Sequence, residues 1–425
     1  MINRAGSVVT TVLWSLSLLA AGLVAASAGR YEGIDFYQYW SVGRIMAGGA
    51  PLDLYGRGKG ESWEDRVVRE FPYAGTDRRW RAAAGFRREL EVYSSPFLYA
   101  LFSPLALLPY SRALDLFQLA GTAALVVFAA AGGAAARSRP WIPPLLLLLL
   151  LLAYQPAAAD LRAANVNRLQ LGMLGAVFWA GARDGPAGYG LAGFLLGLAV
   201  AFKPNLAPAA GLAAVSLLAW RKTAAAGRFF AGAALGGATA VAAAAVAWGG
   251  IGCWKRWVEA AAAMPPDIIP PRLGNYAPGW YFSRWAGTDL SIPLALGLFG
   301  VAAAAVAAGA RRRMRSPEIF SSSWQAAIAL GALVFILSSR LVWIHYYLLA
   351  VPAALILTSP PAKGWQIFLG AAGFALIALD PMLAVVPPPG IPAETLAVGT
   401  GAVLLLIGLI GKIVGKRPTP EARPG

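Results

Sequence analysis

Residues 141–159 read WIPPLLLLLLLLAYQPAAA, nineteen positions without a charge. A helix needs about 20 predominantly apolar residues to cross ~30 Å of hydrocarbon, and a run of this length reads as a membrane span. Comparable uncharged stretches fall at 8–28, 92–111, 116–136, 169–182, 185–202, 204–220, 229–254, 290–310, 319–339, 341–362, 364–379 and 395–411. The pattern predicts an all-α polytopic membrane protein with about 11–13 transmembrane helices. Gly236-Gly237, Ala242 to Ala245 and Ala302 to Ala305 supply the small residues that let helices approach closely in lipid.

Composition agrees with this reading. Apolar residues make up 58% of the 425 and charged residues 13%, and mean hydropathy is +0.60. A soluble domain carries about 25% charged residues. Soluble enzymes and disordered tails are excluded, as are secreted disulfide scaffolds, since Cys253 has no second cysteine to pair with. The 36 basic and 20 acidic residues leave a net charge of +16. Basic clusters between apolar spans follow from the excess of Lys and Arg in cytoplasmic loops, so no nucleic-acid partner is implied.

The same rule orients the chain. The tail with Lys412, Lys416 and Arg417, then Lys363, the Arg311–Arg315 cluster and Arg221-Lys222…Arg228 are expected inside. The connections at 255–289, at Arg340, at 380–394 and around Lys203 then face outward. Thirteen simple crossings would put the segment 29–91 inside, against the outward position its residues require below. One stretch is therefore expected not to cross: either 92–111, which carries Pro96, Pro104 and Pro109, or the short 169–182. The expected organisation is one integral-membrane domain, 1–425, with extracytoplasmic loops at 29–91 and 255–289 and a cytoplasmic tail at 412–425. Residues 1–28 read as a retained anchor, with a cleaved signal peptide as the alternative because small residues surround Ala26 and Ala28.

Both long loops exceed connector length. From Glu61 to Glu91 the first mixes acids and bases with Trp63, Phe71, Tyr73, Trp80 and Phe86, a pattern for short amphipathic helices at the membrane surface. The second carries Trp257, Trp280 and Trp285, with Trp254 at its edge, beside Lys255, Arg256, Arg272 and Arg284. Tryptophan at this density belongs at the headgroup level.

Asp35 follows the first span in Tyr31-Glu32-Gly33-Ile34-Asp35-Phe36-Tyr37-Gln38-Tyr39. An ionisable group among aromatics at the end of an anchor is costly without a role. Further on come Ala47-Gly48-Gly49, Pro51-Leu52-Asp53-Leu54-Tyr55, Tyr93-Ser94-Ser95-Pro96-Phe97 and Ser103-Pro104…Pro109. Asn165-Val166-Asn167, Gly193…Gly197 with Phe202-Lys203-Pro204, Gly274-Asn275-Tyr276 and Ser338-Ser339-Arg340…His345-Tyr346-Tyr347 complete the series. This ordered set resembles glycosyltransferase family 87, polytopic enzymes of the GT-C class. The resemblance runs from the first span to about residue 360. It implies GT-C architecture and a polyprenyl-phosphate-linked sugar donor, with mannose the best-known sugar. The acceptor would be a lipid or glycan at the extracytoplasmic face of the cell (inner) membrane. The segment from Gly56 to Glu91 is longer and more charged than the family minimum, which leaves the acceptor open.

Such a transfer needs a base for the acceptor hydroxyl and cations for the leaving phosphate. Asp35 suits the base, with Glu32 at the rim. By analogy with the class, the attack is a single inverting displacement. Lys203 either snorkels to headgroups or, as the resemblance implies, contacts the donor phosphate; Arg340 and His345 are assigned to the same phosphate. His345 is the chain's only histidine, and packing is the alternative for it. Tyr39, Asn165, Asn167 and Asn275 are substrate contacts or, for the asparagines, caps and turns. Arg162, Arg168, Arg272 and Arg284 could attract a lipid phosphate. No metal site or cofactor is expected: no Asp-x-Asp pair occurs, and one His with one Cys cannot hold zinc. Two other readings remain: a transporter or lipid flippase, for which neither inverted repeats nor a paired mid-span acid is present, and a GT-C enzyme using aminoarabinose or a protein acceptor.

Overall fold

The computed structural model describes residues 2–47, 54–55, 75–86, 92–183, 185–263, 274–313, 317–378 and 393–415. Pro51-Leu52-Asp53, the segment 56–74 with Trp63, Phe71 and Tyr73, Arg272, Arg315, residues 380–392 and the tail beyond 415 lie outside them. The described residues are mostly helical, with a single isolated β-bridge between Asn275 and Trp343.

In chain order the helices are α1 (Ile2–Ser27), α2 (Ile34–Ala47), α3 (Arg78–Phe86), α4 (Pro96–Phe102), α5 (Tyr110–Ala135), α6 (Ile142–Leu152), α7 (Gln155–Ala163) and α8 (Asn167–Gly181). There follow α9 (Pro186–Phe202), α10 (Ala207–Ala219), α11 (Thr223–Trp248), α12 (Gly252–Ala262), α13 (Pro278–Ala286), α14 (Ser291–Arg313), α15 (Pro317–Ser338), α16 (Ile344–Thr358, opening with a 3-10 stretch), α17 (Gly364–Ala378) and α18 (Ala393–Val414). Proline occupies the first turn of α4, α6, α7, α9, α10 and α13, where its missing N–H has no intrahelical partner to lose.

Six helices among the described residues are long and apolar enough to cross a membrane, and the bent pair α6–α7 counts as a seventh. Four shorter apolar helices, Pro186–Phe202, Pro204–Ala219, Ile344–Thr358 and Gly364–Ala378, accompany them. The stretch that opened the sequence reading is thus two helices rather than one, bent by 56° where Tyr154 leaves the helical region ahead of Pro156. Of the two candidates for the stretch that does not cross, 92–111 folds into the seven-residue α4 and a 3-10 turn at Leu105–Leu107. Seven residues rise only about 10 Å, far short of a bilayer. Its prolines begin and end these pieces. By contrast, 169–182 lies almost wholly within the continuous α8.

α15 is the most deeply buried of the long helices and forms the centre of the main core. α9 and α11 meet backbone to backbone. A methyl built on Gly193 would sit 2.1 Å from the Phe229 carbonyl oxygen, and on Gly232 2.0 Å from that of Gly190. This is backbone-to-backbone packing of the small-residue type favoured between helices in lipid. Gly193…Gly197, quoted above among the family-like motifs, therefore serves helix contact. A second core, rich in aromatics, gathers α2, α3, α4 and the start of α5.

The expected surface helices of the first loop are represented by α3, which docks rather than floats. Trp80 is 1% exposed and packs on Tyr37 with ring centroids 5.8 Å apart. Asp77 caps α3 by accepting from the N–H groups of Arg79 (2.9 Å) and Trp80 (3.1 Å), and it accepts from the N–H of Ser111 (2.9 Å) at the start of α5. Burial pushes the Asp77 carboxyl up, but the hydrogen bonds from Ser111, Trp80 and Arg79 outweigh it and hold the group below its ordinary value.

Candidate active site

Asp35 lies in the first turn of α2, where the helix dipole favours negative charge, and is 7% exposed. The approach to it is rigid. Tyr110 donates its hydroxyl to the carbonyls of Glu32 (2.6 Å) and Gly33 (3.0 Å). Gly33 takes φ +71° and is wedged against Leu114 and Ala164, so a side chain there would be strained and crowded.

The opposite wall is the α7–α8 junction. α7 ends on Ala164 in the left-handed conformation, which turns the chain so that Asn165 points back at α2. Its Nδ2 donates to Asp35 Oδ2 at 2.7 Å. Its Oδ1 accepts from Asn167 Nδ2 (2.9 Å), the Val166 N–H (2.7 Å) and Lys203 Nζ (3.3 Å). Lys203 also donates to Asn167 Oδ1 at 3.1 Å, and its ammonium lies 4.0 Å from the centre of the Tyr346 ring. One carboxamide thus presents its N–H face to the acid and its oxygen to the cation.

Lys203 is delivered by the end of α9, which stops because Pro204 follows and residue 203 is extended. Ser95 donates to the Phe202 carbonyl at 2.8 Å and caps α4 through the Leu98 N–H. The Ser94-Ser95-Pro96 motif therefore fixes the base of Lys203.

Asp160, which the sequence reading passed over, organises the cluster from below. It is fully buried, accepts from Asn167 N–H (3.1 Å) and Nδ2 (3.3 Å), and pairs with Arg168 Nε at 2.7 Å. Arg168 in turn donates to Gln118, which donates to the Leu161 carbonyl at 2.7 Å. Arg168 is 1% exposed and is held in the interior rather than at the rim. The missed signal was an acid closing an uncharged run, with an arginine eight residues on.

The other candidates sit farther out. His345 is 5% exposed, stacked on Trp343 (6.2 Å, 14°) and edge-on to Tyr346 (5.1 Å), so that the Tyr346 ring touches both His345 and Lys203. Asn275 donates to the Arg340 carbonyl (2.9 Å) and accepts from the N–H groups of Val342 (3.1 Å) and Ala277 (3.0 Å), which ties the second loop to the α15–α16 connection. The Arg340 guanidinium pairs with Asp289 at 3.1 Å, where both side chains are partly exposed. Tyr39 is 4% exposed and packs on Phe102 at 4.9 Å. Asp35, Asn165, Asn167 and Lys203 are therefore joined directly, His345 through Tyr346, while Arg340 and Asn275 form a neighbouring unit. Among the described residues no group of three or more His, Cys, Asp or Glu gathers as a metal site would require.

The family model for glycosyltransferase family 87 matches residues 93–339, more than half of the chain, and the chain belongs to that family. It is a membrane glycosyltransferase. The matched stretch contains Asn165, Asn167, Lys203 and Asn275, while Asp35, Arg340 and His345 fall outside it. No curated protein and no solved structure matches the chain significantly.

Proposed function

We propose that this glycosyltransferase moves a hexose, mannose in the first instance, from a polyprenyl-phosphate-linked donor to a lipid or glycan acceptor with inversion. Asp35 is the general base. It takes the proton of the acceptor hydroxyl as that oxygen bonds the anomeric carbon and the carbon–oxygen bond to phosphate breaks. The electron pair leaves on the phosphate, where Lys203 and His345 compensate the charge, with Arg340 at the rim. Tyr39, Asn165, Asn167 and Asn275 shape the chamber around the sugar. The observation that carries this reading is the bonding of Asp35 and Lys203 to one side chain, Asn165.

The site faces the extracytoplasmic side of the cell membrane in this proposal, within one integral-membrane unit whose outer loops are 29–91 and 255–289. With 92–111 not crossing, twelve apolar stretches remain. Lys and Arg then fall inside at Arg137, Arg139, Arg221, Lys222 and the Arg311 cluster, and Asp35, Asn165, Lys203 and Arg340 fall outside together.

The test is Asp35→Asn in membrane vesicles supplied with polyprenyl-phosphate-mannose. Asparagine keeps an oxygen for Asn165 but takes no proton, so transfer should fall by about 10²–10⁴-fold, with thermal unfolding little changed. Full activity of Asp35→Asn ends the proposal.

A further inference from the structure

An apolar groove of about 710 Å³ runs between α6, the end of α16 and α17, walled by Leu145, Leu149, Leu355, Ala371 and Phe374. Its existence follows from the break after Leu152: α6 is only eleven residues long, and the chain turns away into α7. Tyr154 stacked on Phe374 (4.7 Å, 17°) stands beside one end. At the other end lie Arg139 and Trp141, with Pro360, Pro361 and Thr358 opposite.

The charges along this groove are one-sided. The two stretches that line it, 133–159 and 341–378, contain no aspartate or glutamate. Their only lysine and arginines are Arg137, Arg139 and Lys363, all exposed and all on the connections at the Arg139 end. Arg139 makes no side-chain hydrogen bond or ion pair among the described residues. Thr358, the polar residue of the wall, donates to the carbonyls of Ala354 and Leu355, 3.0 and 3.1 Å away. An apolar trough with cations and a tryptophan at a single mouth matches an amphiphile whose charge is negative and confined to one end.

We propose that this groove is a binding site for one anionic glycerophospholipid, with an acyl chain along α6 and its phosphate at Arg139. The position argues against the polyprenyl donor as occupant. The α6–α7 pair separates Arg139 from Asn165, so a phosphate at this mouth lies at the opposite end of the bundle from Lys203.

Native mass spectrometry of the delipidated full-length protein tests the assignment with phosphatidylglycerol, phosphatidylcholine and polyprenyl phosphate added separately. Phosphatidylglycerol should be retained preferentially. Arg139→Gln should reduce that preference about fivefold, the worth of one cation near a membrane surface, and Ala371→Trp should remove the adduct by filling the trough. Both positions are exposed, so the unfolding temperature should stay at the wild-type value. Equal retention of the two phospholipids overturns the proposal, as does a preference that survives both variants. Loss of polyprenyl phosphate instead of phosphatidylglycerol in Ala371→Trp would make the groove the donor's tail site and overturn it equally.

Discussion

Replacing Asp160 by asparagine removes one charge of a pair that no water reaches. Asp160 is 0% and Arg168 1% exposed, with Nε and Oδ1 2.7 Å apart, and the guanidinium fits a slot where Gly121 has no side chain. In Asp160→Asn that guanidinium keeps only Gln118 as a side-chain acceptor and an amide oxygen in place of the carboxylate. Leaving one member of a buried ion pair uncompensated costs about 3–5 kcal/mol. Removing both charges, in Asp160→Asn/Arg168→Met, removes the uncompensated ion as well and should recover most of that loss. Unfolding in nanodiscs, followed by tryptophan fluorescence for the wild type, both single variants and the double variant, gives the coupling energy directly. The transferase assay on the folded fraction adds a separate readout. Asp160 holds Asn167, which holds Lys203, so activity per folded molecule should fall in Asp160→Asn. Single variants within about 1 kcal/mol of wild type with additive effects would refute the burial argument. Unchanged activity per folded molecule would refute the link to Lys203.

Lys203→Gln should lower transfer by about 10²–10³-fold, the usual cost of losing one charge-stabilising donor in a closed site, measured in the same vesicle assay. Gly33→Ala places a methyl 2.8 Å from Leu114 at φ +71°, and a loss of about 1–3 kcal/mol is expected in the unfolding experiment. Asp77 has a folded pKa below its unfolded value, so its contribution is complete above the unfolded value near 3.8 and disappears as pH falls through the lower folded one. The difference in unfolding temperature between wild type and Asp77→Asn should be flat above about pH 5 and shrink below pH ~4.

Much of the bundle was legible in the amino-acid order because backbone polar groups in hydrocarbon must bond within their own helix, which forces long uncharged runs. The interruption in 92–111 was only half legible: three prolines mark it, but the short 169–182 was a rival that the continuous α8 removes. The break at Tyr154 was not legible: eight consecutive leucines carry no periodicity that distinguishes one span from a bent pair, and Pro156 alone is compatible with either. Asp35 stood out because a carboxylate among aromatics is locally expensive. Its partner Asn165 is 130 residues away, a pairing that only packing creates. Asp160 escaped notice because it sits one position beyond an uncharged run and resembles a terminal charge until Arg168 folds over it. Arg168 itself looked like a rim residue, since residue type says nothing of which way a helix turns its face.

The glycine contact between α9 and α11 limits relative motion beside the proposed site. With their backbones touching, these two helices must translate as one body. Lys203 ends the first, and Trp248 ends the second with its indole bonded to the Pro96 carbonyl. Displacing the lysine would drag α4 with it. The α9–α11 pair and α4 thus form one braced wall beside Lys203, and Tyr346 stands on its other side.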